Sequence, residues 1–139
     1  MVASFGLLAA CAPSSITAAA LQGSLAGTFA QLYALQQTEQ GHPRPDLPTL
    51  QTTAACQKGP PDSSQSGPGN DWTCQVTYLV DGPGTPVRAQ YTVNVRTDGC
   101  WSADGDGPAS VNGARTLIGA KGQLRRNPLY LIDSCVDAG

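Results

Sequence analysis

The sequence predicts an α+β fold: one long N-terminal helix packed on an antiparallel sheet of three to five strands, stapled by two disulfides. Three observations carry that expectation. Apolar residues recur at helical spacing through residues 14–40, they alternate with polar ones through 72–80 and 87–95, and four cysteines stand far apart in the body of the chain.

In the first segment Leu21, Leu25, Phe29, Leu32 and Leu35 fall within an arc of about 120°, with Ser24, Gln31 and Gln37 facing away. Ser14, Ser15 and Thr17 are candidate N-caps, and Gly41 ahead of His42 and Pro43 ends the helix. Gly23 and Gly27 stand four apart and read as a small-residue surface laid on the domain's own sheet, since the segment is too polar for a helix pair in a membrane. The stretch HPRPDLP (42–48) reads as an extended connector and KGPPDSSQSGPGN (58–70) as an irregular loop.

Two strands follow. In WTCQVTYLV (72–80), Trp72, Cys74, Val76, Tyr78 and Val80 share one face. In VRAQYTVNV (87–95), Val87, Ala89, Tyr91, Val93 and Val95 share one face, while Arg88, Gln90, Thr92 and Asn94 take the other. Residues 81–86 connect them as a hairpin loop. Asp98-Gly99 is a tight-turn signal leading to a third strand at CWSA (100–103), and short apolar stretches at 116–118 and 129–132 are candidates for one or two more. One face of such a sheet is buried by the helix and the other stays wet.

The four body cysteines are Cys56, Cys74, Cys100 and Cys135. None forms a CxxC pair, so neither a zinc cluster nor a thioredoxin-type redox pair is expected. Separated cysteines in a loop-rich chain point to two disulfides and an oxidising compartment. Three pairings are open to four cysteines. The strand topology favours Cys56–Cys74, which ties the approach to the sheet to its first strand, and Cys100–Cys135, which pins the C-terminus to the Asp-Gly turn. Each closure is worth about 3 kcal/mol.

The fifth cysteine poses a different problem. Val2 to Ala10 is an apolar run ending in small residues, the shape of a cleavable export signal, and it is too short to span a bilayer. Leu8-Ala9-Ala10-Cys11 resembles the lipobox of bacterial lipoproteins at every position, although no Lys or Arg precedes the apolar run as one usually does. The resemblance implies a diacylated Cys11 as the first residue after processing. Residues 1–10 are then the signal, 11–15 a short tether, and 16–139 a single α+β domain. Acyl chains bury dozens of methylenes at roughly 0.8 kcal/mol each, so the anchor would be long-lived.

FAQLYALQQ (29–37), GPGNDWTCQVTY (67–78), YTVNVRTDGCW (91–101) and NPLYLIDSCVD (127–137) together resemble a family of uncharacterised actinobacterial lipoproteins. That family pairs a lipobox with a GPGDDWxC-type segment, a DGC turn and an NPL…DGC ending. Here Asn70 stands in place of an Asp and Ser134 in place of a Gly. The resemblance implies a lipoprotein with paired cysteines and carries over no catalytic residue. A looser likeness, of architecture only, is to pilin-like folds, but the long apolar assembly helix of pilins is missing.

Little else in the chain carries chemistry. A net charge of −2 gives no general attraction to nucleic acid. His42, the only histidine, lies in a connector with no nucleophile elbow to serve and reads as an ordinary surface residue. Asp98, Asp104 and Asp106 lack the spacing and distal Glu of an EF-hand loop, and Asp133 and Asp137 are the nearest approach to a carboxylate pair. No metal, cofactor or catalytic residue is expected. Trp101 beside the turn, expected to be partly exposed, and Arg125 and Arg126 in a basic stretch with Arg115 and Lys121 are candidate contacts for a partner or ligand. The expected function is non-enzymatic: a membrane-anchored extracytoplasmic protein that binds an envelope protein or cell-wall glycan. The other classes are a small envelope-glycan hydrolase or transferase working through Asp residues, and an accessory subunit of a membrane complex.

Overall fold

A computed structural model describes residues 16–80 and 85–136. Cys11 and the proposed signal and tether lie outside the described residues, as do Asp81 and Asp137.

Helix α1 (Ala18–Glu39) lies across a five-stranded antiparallel sheet of order β1-β2-β3-β4-β7, built from β1 (Thr53–Lys58), β2 (Gly69–Val80), β3 (Thr85–Val95), β4 (Cys100–Gly107) and β7 (Leu131–Cys135). Strands β5 (Thr116–Ile118) and β6 (Leu124–Arg126) form a separate hairpin between β4 and β7 in the chain. The α+β expectation, its single helix and both disulfides hold.

Thr17 caps the helix by accepting the Ala20 amide, a contact worth about 1 kcal/mol. Its C-terminus closes with paired bonds from Gly41 N–H to the Thr38 carbonyl and from His42 N–H to the Gln37 carbonyl, which require the left-handed φ of 81° that Gly41 supplies. Leu21, Leu25, Phe29 and Tyr33 form the buried line. Leu35 does not join it and is 43 % exposed, because the carboxamide of Gln36 occupies the middle of the buried face instead. Gly23 and Gly27 are also corrected: a side chain at either would meet open space, so they lie on the outer surface and not against the sheet.

The alternation expected in β2 and β3 is observed, with Trp72, Cys74, Val76 and Tyr78 facing Ala89, Tyr91, Val93 and Val95 beneath the helix. Phe29 lies tilted against Tyr78, at 4.9 Å, and edge-on to Tyr91, at 6.2 Å between ring centres, while Tyr33 stacks parallel to Phe29 at 6.3 Å and closes the cluster at 4.9 Å from Tyr78. Burial pushes the Tyr78 hydroxyl well above the ordinary tyrosine range, with the neighbouring Tyr33 adding to the rise. Burial does the same at Tyr91, partly offset by a hydrogen bond with Asn112.

Both disulfides join residues directly opposite each other across antiparallel strands. Cys56 faces Cys74 on β1 and β2, and Cys100 faces Cys135 on β4 and β7. In such non-hydrogen-bonded pairs the backbone polar groups point away from the partner strand, toward the sheet edge. On β1 these groups find side chains. The Cys56 amide donates to Gln22 Oε1, and the Gln65 carboxamide accepts from Lys58 N–H at 2.8 Å and donates to its carbonyl at 2.9 Å, as a neighbouring strand would. On β7 the Cys135 carbonyl accepts from Ser24 Oγ, while Leu131 and Asp133 form the rest of that edge and are exposed.

Candidate functional site

Trp101 leaves the list of contact residues. It is fully buried under α1, where its indole N–H donates to Ser24 Oγ at 2.9 Å and Ser24 passes a hydrogen bond to the Cys135 carbonyl. Alternation along β4 explains this: Trp101 and Ala103 share the core face, so the turn at Asp98-Gly99 cannot expose the ring.

Arg125 and Arg126 are exposed on β6. The hairpin that carries them is positioned from three sides. At its tip, the Ala120 amide donates to the Glu39 carbonyl at the end of α1. At its base, Asn127 is buried and its side chain donates to the carbonyls of Ala114 (2.8 Å) and Val111 (3.3 Å) while accepting from the Leu129 amide and from Gln36 Nε2, each at 3.0 Å. Beside it, Asn112 donates to the Gln90 carbonyl and accepts the Gly107 amide, holding a single π-helical turn (Ala109–Gly113) against the sheet. Gly105 allows this close approach, since a side chain there would collide with the Asn112 carbonyl. The Tyr91 hydroxyl donates to the Leu129 carbonyl at 2.7 Å. The hairpin is therefore tied to the helix and the core by neutral hydrogen bonds, those of Asn127, Asn112 and Tyr91 shielded or half-shielded from water.

Between the hairpin and the start of β7 lies a cleft of about 480 Å³, walled by Arg115, Leu124, Arg125, Arg126, Tyr130 and Leu131. The Arg115 guanidinium sits over the Tyr130 ring, 5.6 Å from its centre, within cation–π range. Leu124 and its cross-strand neighbour Ile118 are 68 % and 60 % exposed, an apolar pair at the cleft mouth. Among the described residues the ion pairs are Lys58–Asp71 and Arg96–Asp98, and neither involves an arginine of the cleft.

A cleft of about 570 Å³ on the other side of the α1 C-terminus includes Gln37, His42 and Arg44. Leu79 and Val80 line it from the end of β2. Among the described residues no carboxylate lines either cleft, and no group of three His, Cys, Asp or Glu side chains could hold a metal. Asp104 and Asp133 lie on the wet face of the sheet on neighbouring strands, with Asp104 opposite Leu131 and Asp133 opposite Ser102. No helix among the described residues is long and apolar enough to cross a membrane.

Comparison with known proteins finds no matching family model, no similar curated protein and no similar solved structure.

The hairpin could have been found from the sequence. TLIGAKGQL places apolar residues on both sides of two glycines, with Gly122 at a φ of 77° inside the turn. The buried Asn112, Asn127 and Gln36 carry no comparable signal, because the environment that makes them structural is assembled from distant parts of the chain.

Proposed function

We propose that this chain is a lipid-anchored extracytoplasmic protein of a bacterial envelope, related to the actinobacterial lipoproteins it resembles, with a non-enzymatic binding role exercised through the β5–β6 hairpin. The observation that carries the reading is the lipobox-like Leu8-Ala9-Ala10-Cys11 a few residues ahead of Thr17, the N-cap of α1. Two disulfides support an oxidising compartment. The exposed cleft with convergent arginines supports binding, and its lack of paired acid and base groups gives no support to hydrolysis or group transfer.

The test is intact mass and membrane partition of the full chain made in a lipoprotein-competent bacterium. The reading requires a species beginning at Cys11 with acyl mass added, and its loss from the membrane fraction in Cys11→Ser. An unmodified chain retaining residues 1–10 overturns it.

A further inference from the structure

The charge of the chain is unevenly placed. Between Asp106 and Asp133 lie 26 residues with four cations, Arg115, Lys121, Arg125 and Arg126, and no acid; this leaves −6 on the rest of a chain whose total is −2. The hairpin is thus a basic pole on an acidic molecule. Three of its cations line one cleft with an apolar side at Leu124 and Leu131, Arg126 sharing the strand face of Leu124 and Arg125 leaving the other face of β6.

That cleft opens onto the unsealed edge of the sheet. Residues at odd positions in β7 turn their backbone N–H and C=O outward, since Tyr130 and Val136 turn theirs inward to Gly105 and Gly99. Leu131 belongs to the cleft wall and to that edge at once. The opposite edge, β1, has the Cys56 amide taken by Gln22 and both the amide and the carbonyl of Lys58 taken by Gln65.

We propose that the cleft and the β7 edge together are a docking groove for an extended acidic segment of a partner protein. The segment adds as a strand beside β7, its carboxylates meet the planar donor forks of Arg115, Arg125 and Arg126, and an aliphatic side chain enters between Leu124 and Leu131. Its carboxylates gather at the arginine side of the cleft, because Asp133 would repel them further along β7 and Asp104 stands opposite Leu131 on the β4 side. The partner class follows from position as well as charge. Helix α1, about 33 Å long, separates the hairpin, bonded at Glu39, from the end at Thr17 where the tether enters. An anchored molecule therefore presents the hairpin away from the bilayer, an orientation that rests on the lipid-anchor reading. A lipid surface would have to meet the molecule on its side.

The experiment uses full-length Cys11→Ser chain, so that binding is measured independently of acylation. The probe is a fluorescein-labelled peptide of three glutamates followed by alternating valine and threonine. Three controls accompany it: the same peptide with lysines for glutamates, one with alternate amides N-methylated, and phosphatidylglycerol vesicles. The proposal expects saturable peptide binding that weakens with salt and falls about tenfold or more in R125E/R126E, whose fold is checked by circular dichroism. It also expects a similar loss for the lysine and N-methylated peptides. Equal binding by R125E/R126E, or indifference to N-methylation, overturns it. Vesicle binding without peptide binding overturns it in favour of a membrane contact.

Discussion

The side chains of Gln36 and Asn127, 91 residues apart, meet in the interior with Gln36 Nε2 donating to Asn127 Oδ1 at 3.0 Å. Gln36 Nε2 also donates to the Val111 carbonyl at 3.1 Å, so one carboxamide on α1 holds both the π-helical turn and the base of the basic hairpin. The hairpin end of the molecule is oriented by this junction, with Leu117 as its buried apolar residue and most of its other side chains exposed.

Removing Asn127 should cost more than removing Gln36. Asn127→Leu strands one of the two Gln36 N–H donors, the Leu129 N–H and the Ala114 carbonyl, at about 1–3 kcal/mol for each group that stays buried, whereas after Gln36→Leu the Asn127 oxygen still accepts from Leu129. Urea denaturation should rank the two variants in that order, with Asn127→Leu the lower midpoint. The reverse order would mean that the junction is held chiefly from the helix side.

Substituting each disulfide by a serine pair should destabilise the domain by unequal amounts. Chain-entropy arguments give about 3 kcal/mol for a closure of 18 residues at Cys56–Cys74 and about 4 kcal/mol for 35 at Cys100–Cys135. Thermal denaturation of C100S/C135S and C56S/C74S checks this. The intact chain should gain four hydrogens in mass on full reduction of these two bridges.

Trp101→Phe should lower stability by about 1–2 kcal/mol through loss of the Ser24 hydrogen bond and some packing, while leaving affinity at the hairpin cleft unchanged. A large loss of binding with an intact fold would restore Trp101 to the contact surface.

Alkaline pH should unfold the protein through Tyr78 and Tyr91. Both hydroxyls keep their protons in the folded state to a higher pH than when exposed, so the native state binds more protons than the unfolded state above about pH 10, and stability falls as pH rises from there. Phenolate absorbance of the four tyrosines should show two of them ionising only together with unfolding. Four independent, early titrations would contradict the packing described for the aromatic cluster.

The sheet was legible where alternation is strong. Nine-residue patterns such as Val87 to Val95 leave one choice of buried face, and placing Cys74 on the matching face of its own strand made its neighbours legible too. β1 was missed because TAACQK has small and polar residues with half-buried burial throughout, and its identity as a strand comes from pairing with β2. β6 was missed for a related reason: LRR is fully exposed and is a strand by virtue of its partner β5. At the site, exposure of the arginines followed from charge alone. Their convergence with Leu124, Tyr130 and Leu131 did not, because it depends on a turn fixed by Asn127.

The glutamine cover on β1 has a consequence for assembly. Growth of a sheet from molecule to molecule needs two open edges per molecule, one to receive and one to offer, and here Gln22 and Gln65 occupy the Cys56 amide and both outward groups of Lys58 on one edge, while Leu131 and Asp133 stay exposed on the other. Edge pairing between copies is therefore favoured at β7 over β1, and a pair joined β7 to β7 is preferred to an open chain of strands.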